Sequence, residues 1–125
     1  MGACRMTEAR IELGKRGEDL ACRELERRGY AIIARRFRVR SGELDIIARD
    51  GAVLVFVEVK TRSGRRFGKA AEAVTVTKQR RMALLGNEYL LRHRLSDCPC
   101  RFDVVSVNVG AGGPDVEIIQ NAFDV

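Results

Sequence analysis

Between Gly42 and Lys60 the chain reads GELDIIARDGAVLVFVEVK, two hydrophobic runs joined at Asp50-Gly51. Asp-Gly between such runs is the strongest short hairpin signal. With those two residues as the turn, Arg49 faces Ala52, Asp45 faces Phe56 and Glu43 faces Glu58. Side chains along a strand alternate between faces. One face therefore takes Glu43, Asp45, Phe56, Glu58 and Lys60, and the other takes Leu44, Ile46, Val55, Val57 and Val59. The apolar set predicts a core face. A three-residue loop would instead put Asp45 and Glu58 on opposite faces.

The same periodicities place the other elements. Residues 1–6 read as a disordered lead. From about Thr7 to Arg28 strong helix formers carry an apolar stripe through Leu13, Gly17, Ala21 and Leu25, and Gly29 stops it. Gly14 and Gly17 would allow close approach of a neighbouring element. Tyr30 to Val39 is a strand, and Arg40-Ser41-Gly42 turns it into the hairpin. Thr61 to Lys69 is a basic, glycine-containing loop with the wrong spacing for a Walker loop. A second helix starts at Thr75 or Thr77 as N-cap and runs to about Arg94, burying Met82, Leu85, Tyr89 and Leu90. Arg101 to Val109 and Asp115 to Ala122 are strands. A helix between the third and fourth strands makes these two parallel neighbours. The order αβββαββ predicts one α/β domain over residues 1–125, with a mixed sheet, and repeats are absent.

The chain is long enough for one core and too short for two. Its net charge of +6 favours an anionic partner such as nucleic acid or a membrane surface. No apolar run approaches the roughly 18 residues of a membrane span, and the N-terminal stretch lacks the apolar segment of a secretion signal. These features predict a cytoplasmic protein without a membrane part. Cys4, Cys22, Cys98 and Cys100 include no Cys-x-x-Cys pair, which fits reduced thiols rather than a zinc site.

The chemistry concentrates on the hairpin. In the expected register Asp45 and Glu58 are diagonal neighbours, roughly 7–8 Å apart at the backbone, close enough to hold one cation. Mg²⁺, with Mn²⁺ as the alternative, prefers oxygen ligands and retains waters, so Asp45, Glu58 and the Val59 carbonyl suit it. Lys60 would orient the attacking water or stabilise a crowded phosphate. Glu43 is a further acid or a partner to Lys60. Glu18 falls on the inner face of the first helix. It is either an arginine-paired structural acid or an additional ligand. Asp103 interrupts an apolar strand and is expected to pair with Arg101 or a loop arginine. His93, beside two arginines, reads as a surface residue. Candidate phosphate contacts are Arg40, Arg62, Arg65, Arg66, Lys69 and Lys78, which position a backbone without reading sequence.

GELD at 42–45 followed by FVEVKTR at 56–62 resembles the PD-(D/E)xK nuclease superfamily, with Leu44 standing where the motif has proline. GKRGEDLA at 14–21, RSGELDIIARDG at 40–51, VFVEVKTR at 55–62, FGKAAEAVTVTKQRR at 67–81 and CRFDVVSV at 100–107 together resemble the YraN-like family of small bacterial proteins. That similarity covers roughly residues 14–109. It implies a restriction-endonuclease-like core, about five strands flanked by two main helices, akin to archaeal Holliday junction resolvases. It also implies that Asp45, Glu58 and Lys60 are the metal and catalytic residues, with Glu18 matching a helix-borne acid. The resolvase likeness implies a homodimer, since a two-fold junction suits a two-fold enzyme. Two readings follow: a Mg²⁺-dependent endonuclease acting on branched or structured DNA, or a non-catalytic nucleic-acid-binding module on the same fold.

Overall fold

Helix-forming residues at the start of the chain make α1, Gly2–Arg27, in a computed structural model that describes residues 2–63, 74–110 and 112–124, with side chains from residue 8 onward. The helix thus takes in the lead expected to be disordered, because Ala, Arg and Met at 3, 5 and 6 sustain helix as well as the residues after them. Five strands come next in two groups: β1 Ala31–Val39, β2 Gly42–Asp50 and β3 Val53–Arg62, then, after α2 Val76–Arg92, β4 Cys100–Asn108 and β5 Asp115–Ile119. The sheet order is β1-β2-β3-β4-β5, antiparallel except for the parallel β3–β4 pair. This is the expected α/β order. Thr75 caps α2, its hydroxyl accepting from the Lys78 amide at 3.1 Å.

The hairpin register differs from the expected one. Asp50 pairs with Val53, Arg49 with Leu54 and Ile46 with Val57, so the two turn residues are Gly51 and Ala52. Gly51 has φ 60° while Ala52 keeps an ordinary φ, the arrangement of a type II′ turn, which wants glycine first. An Asp-Gly turn of type I′ would require a left-handed aspartate. Instead Asp50 stays in the strand, where Arg101 grips its carboxylate at 2.8 Å. The slip moves pairs by an even number of positions, so paired residues keep their parity.

Both faces of the sheet are buried, not one. Against α2 lie Leu44, Ile47, Leu54, Phe56, Phe102 and Val104, with Met82, Leu85 and Tyr89 from the helix. Against α1 lie Ile46, Ala48, Val55, Val57, Val105 and Val107, with Ala21, Cys22 and Leu25. Phe56, expected beside the acids on an open face, is fully buried under α2. Thr61 and Arg62 belong to β3, since the parallel ladder with β4 continues to Arg62↔Asn108.

Gly17 lets α1 lie close to the sheet. A Cβ there would stand 1.9 Å from the Thr61 hydroxyl oxygen and 2.8 Å from the Thr61 Cβ, whereas one at Gly14 would meet nothing within 4 Å. Gly17→Ala is therefore expected to cost about 1–3 kcal/mol by overpacking. Gly14→Ala should add about 0.5–1 kcal/mol through helix propensity. Urea midpoints at constant slope measure both, and equal effects at the two positions would contradict this packing.

Candidate active site at the parting of two strands

Asp45 sits where β2 loses its regular alternation. Leu44 and Ile47 both pack toward α2, although residues three apart in a regular strand lie on opposite faces. The same happens opposite it on β1, where Ala34 and Phe37 both pack toward α2 while Arg35 and Arg36 both reach Glu18 on α1. Arg36 and Asp45 are the two residues omitted from the ladder, between Arg35↔Ile46 and Phe37↔Leu44. Arg36 takes a left-handed φ of 56° to achieve this. On its other side, β2 stops pairing with β3 at Ile46↔Val57, one step short of Asp45 and Glu58.

Freed from the ladder, the Asp45 carboxylate accepts the Val59 amide hydrogen at 2.8 Å. It also lies close enough to Glu58 to share a hydrogen bond. Burial and the Glu58 charge push the Asp45 carboxyl up to about 7, against the opposing pull of the Val59 amide and Lys78. Glu58 is almost wholly buried on the α2 side, its Oε2 3.7 Å from the Lys60 ammonium and 3.3 Å from that of Lys78. Lys78, expected to contact phosphate, is thus a partner of Glu58, supplied from the first turn of α2. The two acids are nearer than the diagonal spacing suggested, because the true register brings their strand positions level.

The structure joins Asp45, Glu58, Val59, Lys60 and Lys78. Glu18 is buried and belongs to the same neighbourhood, lining a cavity with Asp45, but its carboxylate accepts from Arg35 at 2.9 Å and lies 3.3 Å from Arg36. Among the described residues no three His, Cys, Asp or Glu side chains are arranged to hold a metal. A divalent cation here would rest on Asp45, Glu58 and the Val59 carbonyl with waters, a donor set suited to Mg²⁺. Glu43 pairs with Arg38 at 3.5 Å rather than with Lys60. Arg40 is exposed in the β1–β2 turn and Arg62 ends β3, while Arg65, Arg66 and Lys69 lie outside the described residues.

Asp103 is fully buried and takes the structural role. Its carboxylate accepts from Arg101 Nε at 3.0 Å, the Tyr30 hydroxyl at 3.0 Å and the Asn121 amide at 2.9 Å. His93 is exposed and stacks on Tyr89. Cys22, Cys98 and Cys100 are free thiols.

Sequence reasoning missed the basic wall of the cavity beside Asp45, formed by Arg10 and Lys15 from α1 and Arg36 and Arg38 from β1. A signal was present: Lys15 lies three residues before Glu18 and Arg10 eight, both helical repeats of its face.

The model of the uncharacterised protein family UPF0102 matches residues 17–107. A UPF0102 protein of Symbiobacterium thermophilum is 56% identical over 112 residues, spanning 89% of this chain and 95% of that protein. One of Geobacter metallireducens is 46% identical over 113 residues, spanning 90% and 93%. Among solved structures, Pyrococcus furiosus SfsA in complex with Ca²⁺ aligns over 90% of this chain and 62% of its own, at a TM-score of 0.35 and 17% identity. No helix among the described residues is long and apolar enough to cross a membrane.

The raised Asp45 pKa sets a pH dependence. Between the unfolded value near 3.8 and the folded value of about 7 the native state holds more protons than the unfolded one, so ionising Asp45 costs stability as pH rises across that window. Asp45→Asn removes the cost. In chelator, its stability should match that of the unsubstituted protein at pH 4 and exceed it at pH 8, by about 1–3 kcal/mol. Thermal melts across pH measure the gap, and a gap that closes toward high pH would refute the assignment.

Proposed function

The chain belongs to the uncharacterised protein family UPF0102, and we propose that it is a metal-dependent nuclease hydrolysing phosphodiester bonds, with branched or structured DNA as substrate. The observation that carries this reading is the Asp45–Glu58 pair: two adjoining carboxylates, Glu58 buried and Asp45 partly so, with Asp45 pushed up to about 7 by desolvation and its neighbour's charge and Lys60 beside Glu58. Such a pair costs a fold stability, and strongly perturbed carboxylates cluster at functional sites.

Asp45 and Glu58, with the Val59 carbonyl, would hold Mg²⁺ or Mn²⁺. When bound, the cation supplies a water of lowered pKa and positive charge against the phosphate. The Val59 amide fixes one Asp45 oxygen and leaves the other to face Glu58. Lys60, a third exposed, is placed to orient the water or to meet a phosphate oxygen as charge builds there. Lys78 sets a second ammonium against Glu58 from the first turn of the second helix.

The second reading, a nucleic-acid-binding module without catalysis, draws on the same geometry: Glu58 already holds two ammonium groups, which a cation must partly displace. Purified protein incubated with junction, flap, single-stranded and duplex DNA separates the two. With Mg²⁺ or Mn²⁺, cleavage of at least one substrate is expected, falling by about 100-fold or more in Glu58→Ala and in Lys60→Ala. Binding that survives Glu58→Ala without cleavage of any substrate would establish the module instead.

A further inference from the structure

A cavity of about 280 Å³ opens beside Asp45 on the α1 side of the sheet. Its cations come from two directions, Arg10 and Lys15 from the helix and Arg36 and Arg38 from the edge strand β1. The two acids in its wall besides Asp45 are committed to those arginines, Glu18 to Arg36 at 3.3 Å and Glu43 to Arg38 at 3.5 Å. Among the described residues Arg10 and Lys15 have no carboxylate within ion-pair distance, so they are available to a ligand. Between them the helix presents Ile11, 59% exposed, and Gly14, where an added Cβ would meet nothing within 4 Å. Cations around an apolar, uncovered patch suit a phosphate joined to a less polar body.

Size and backbone narrow the ligand. Pockets for drug-sized molecules start at about 300 Å³, so this cavity of about 280 Å³ is of a size for one nucleotide. Arg36 reaches it only by adopting a left-handed φ of 56°, and strain of that kind in a bulky residue is characteristic of functional positions. We propose that the cavity binds one unpaired nucleotide next to the phosphate presented to Asp45, so that the site selects single-stranded or frayed nucleic acid over continuous duplex. The adjacency to a reacting phosphate rests on the nuclease reading; the binding itself does not.

Fluorescence anisotropy in chelator at low salt tests it, with a labelled oligothymidylate of about 12 nucleotides and a blunt duplex of about 20 base pairs as probes. The single strand is expected to bind more tightly. Arg10→Glu with Lys15→Glu should weaken it at least about tenfold and flatten its salt dependence by about 1.4 logarithmic units per decade, about 0.7 for each phosphate no longer neutralised. Gly14→Leu should raise the melting temperature, as a better helix former, yet also weaken strand binding by filling the cavity. The equal charge change Arg80→Glu with Arg94→Glu, at exposed positions on and just after α2 across the sheet, should cost less than about threefold. Duplex bound as tightly as single strand, or a control pair as damaging as the test pair, would overturn the proposal. Strand binding that responds to these variants as expected, without metal-dependent cleavage, upholds the cavity and removes the nuclease. Duplex cleavage untouched by Gly14→Leu upholds the nuclease and removes the cavity.

Discussion

A strand in a regular ladder alternates its side chains between two faces, and β1 and β2 break that alternation together at Arg36 and Asp45. Everything distinctive about the site stems from this paired slip. Without it, Asp45 would point to the α2 side of the sheet, away from the cavity it lines with α1. With it, two consecutive residues on each strand turn toward α1, Arg35 and Arg36 find Glu18, and Asp45 leaves the ladder for the gap between β2 and β3. A left-handed arginine costs on the order of 1–2 kcal/mol. Hydrogen bonds from Arg35 and Arg36 to one buried carboxylate offset a cost of that size.

The slip survives because the rest of the sheet is held elsewhere. At the turn end of the hairpin, Arg101 bonds both Asp50 and Asp103, Tyr30 donates to Asp103, and Gln120 donates to the Tyr30 oxygen at 2.7 Å. That network ties the start of β1, the end of β2, β4 and the chain after β5, and none of the described buried polar side-chain atoms lacks a partner. Apolar packing on both faces locks the middle. The far end brings two carboxylates, Asp45 and Glu58, together. The sheet is thus clamped at one end and open at the other, with α1 and α2 each contributing to the open end through Glu18 and Lys78.

Period-two and helical patterns made most of the fold legible: seven elements in order, the parallel β3–β4 pair, the buried stripe of α1 and the face of α2. The site was legible as far as Asp45, Glu58 and Lys60, since short-range spacing on one hairpin brings them together. The features that escaped had long-range causes. The turn moved by one residue because Asp50 has a partner, Arg101, fifty-one positions away. The slip at Arg36 and Asp45 is invisible in a period-two reading, which assumes the alternation it breaks. Lys78 was assigned to phosphate because nothing local reveals that the first turn of α2 overlies Glu58.

Net charge argues less for a nucleic-acid partner than the placement of charge does. Arg27 and Arg28 are held by Glu24, Arg35 by Glu18 and Asp19, Arg92 by Glu88, and Arg101 by Asp50 and Asp103. Those arginines stabilise α1, its contact with β1, α2 and the turn end of the sheet, and a long-range field from them is largely cancelled by their partners. Among the described residues, the cations at the open end include Lys60 beside Glu58, and Arg10 and Lys15 on the helix across from the β1 arginines. A polyanion steered by the bulk surface could land anywhere, whereas Arg10, Lys15, Arg36 and Arg38 line one cavity together with Asp45. The functional reading therefore rests on a local arrangement that a basic pI could not have supplied.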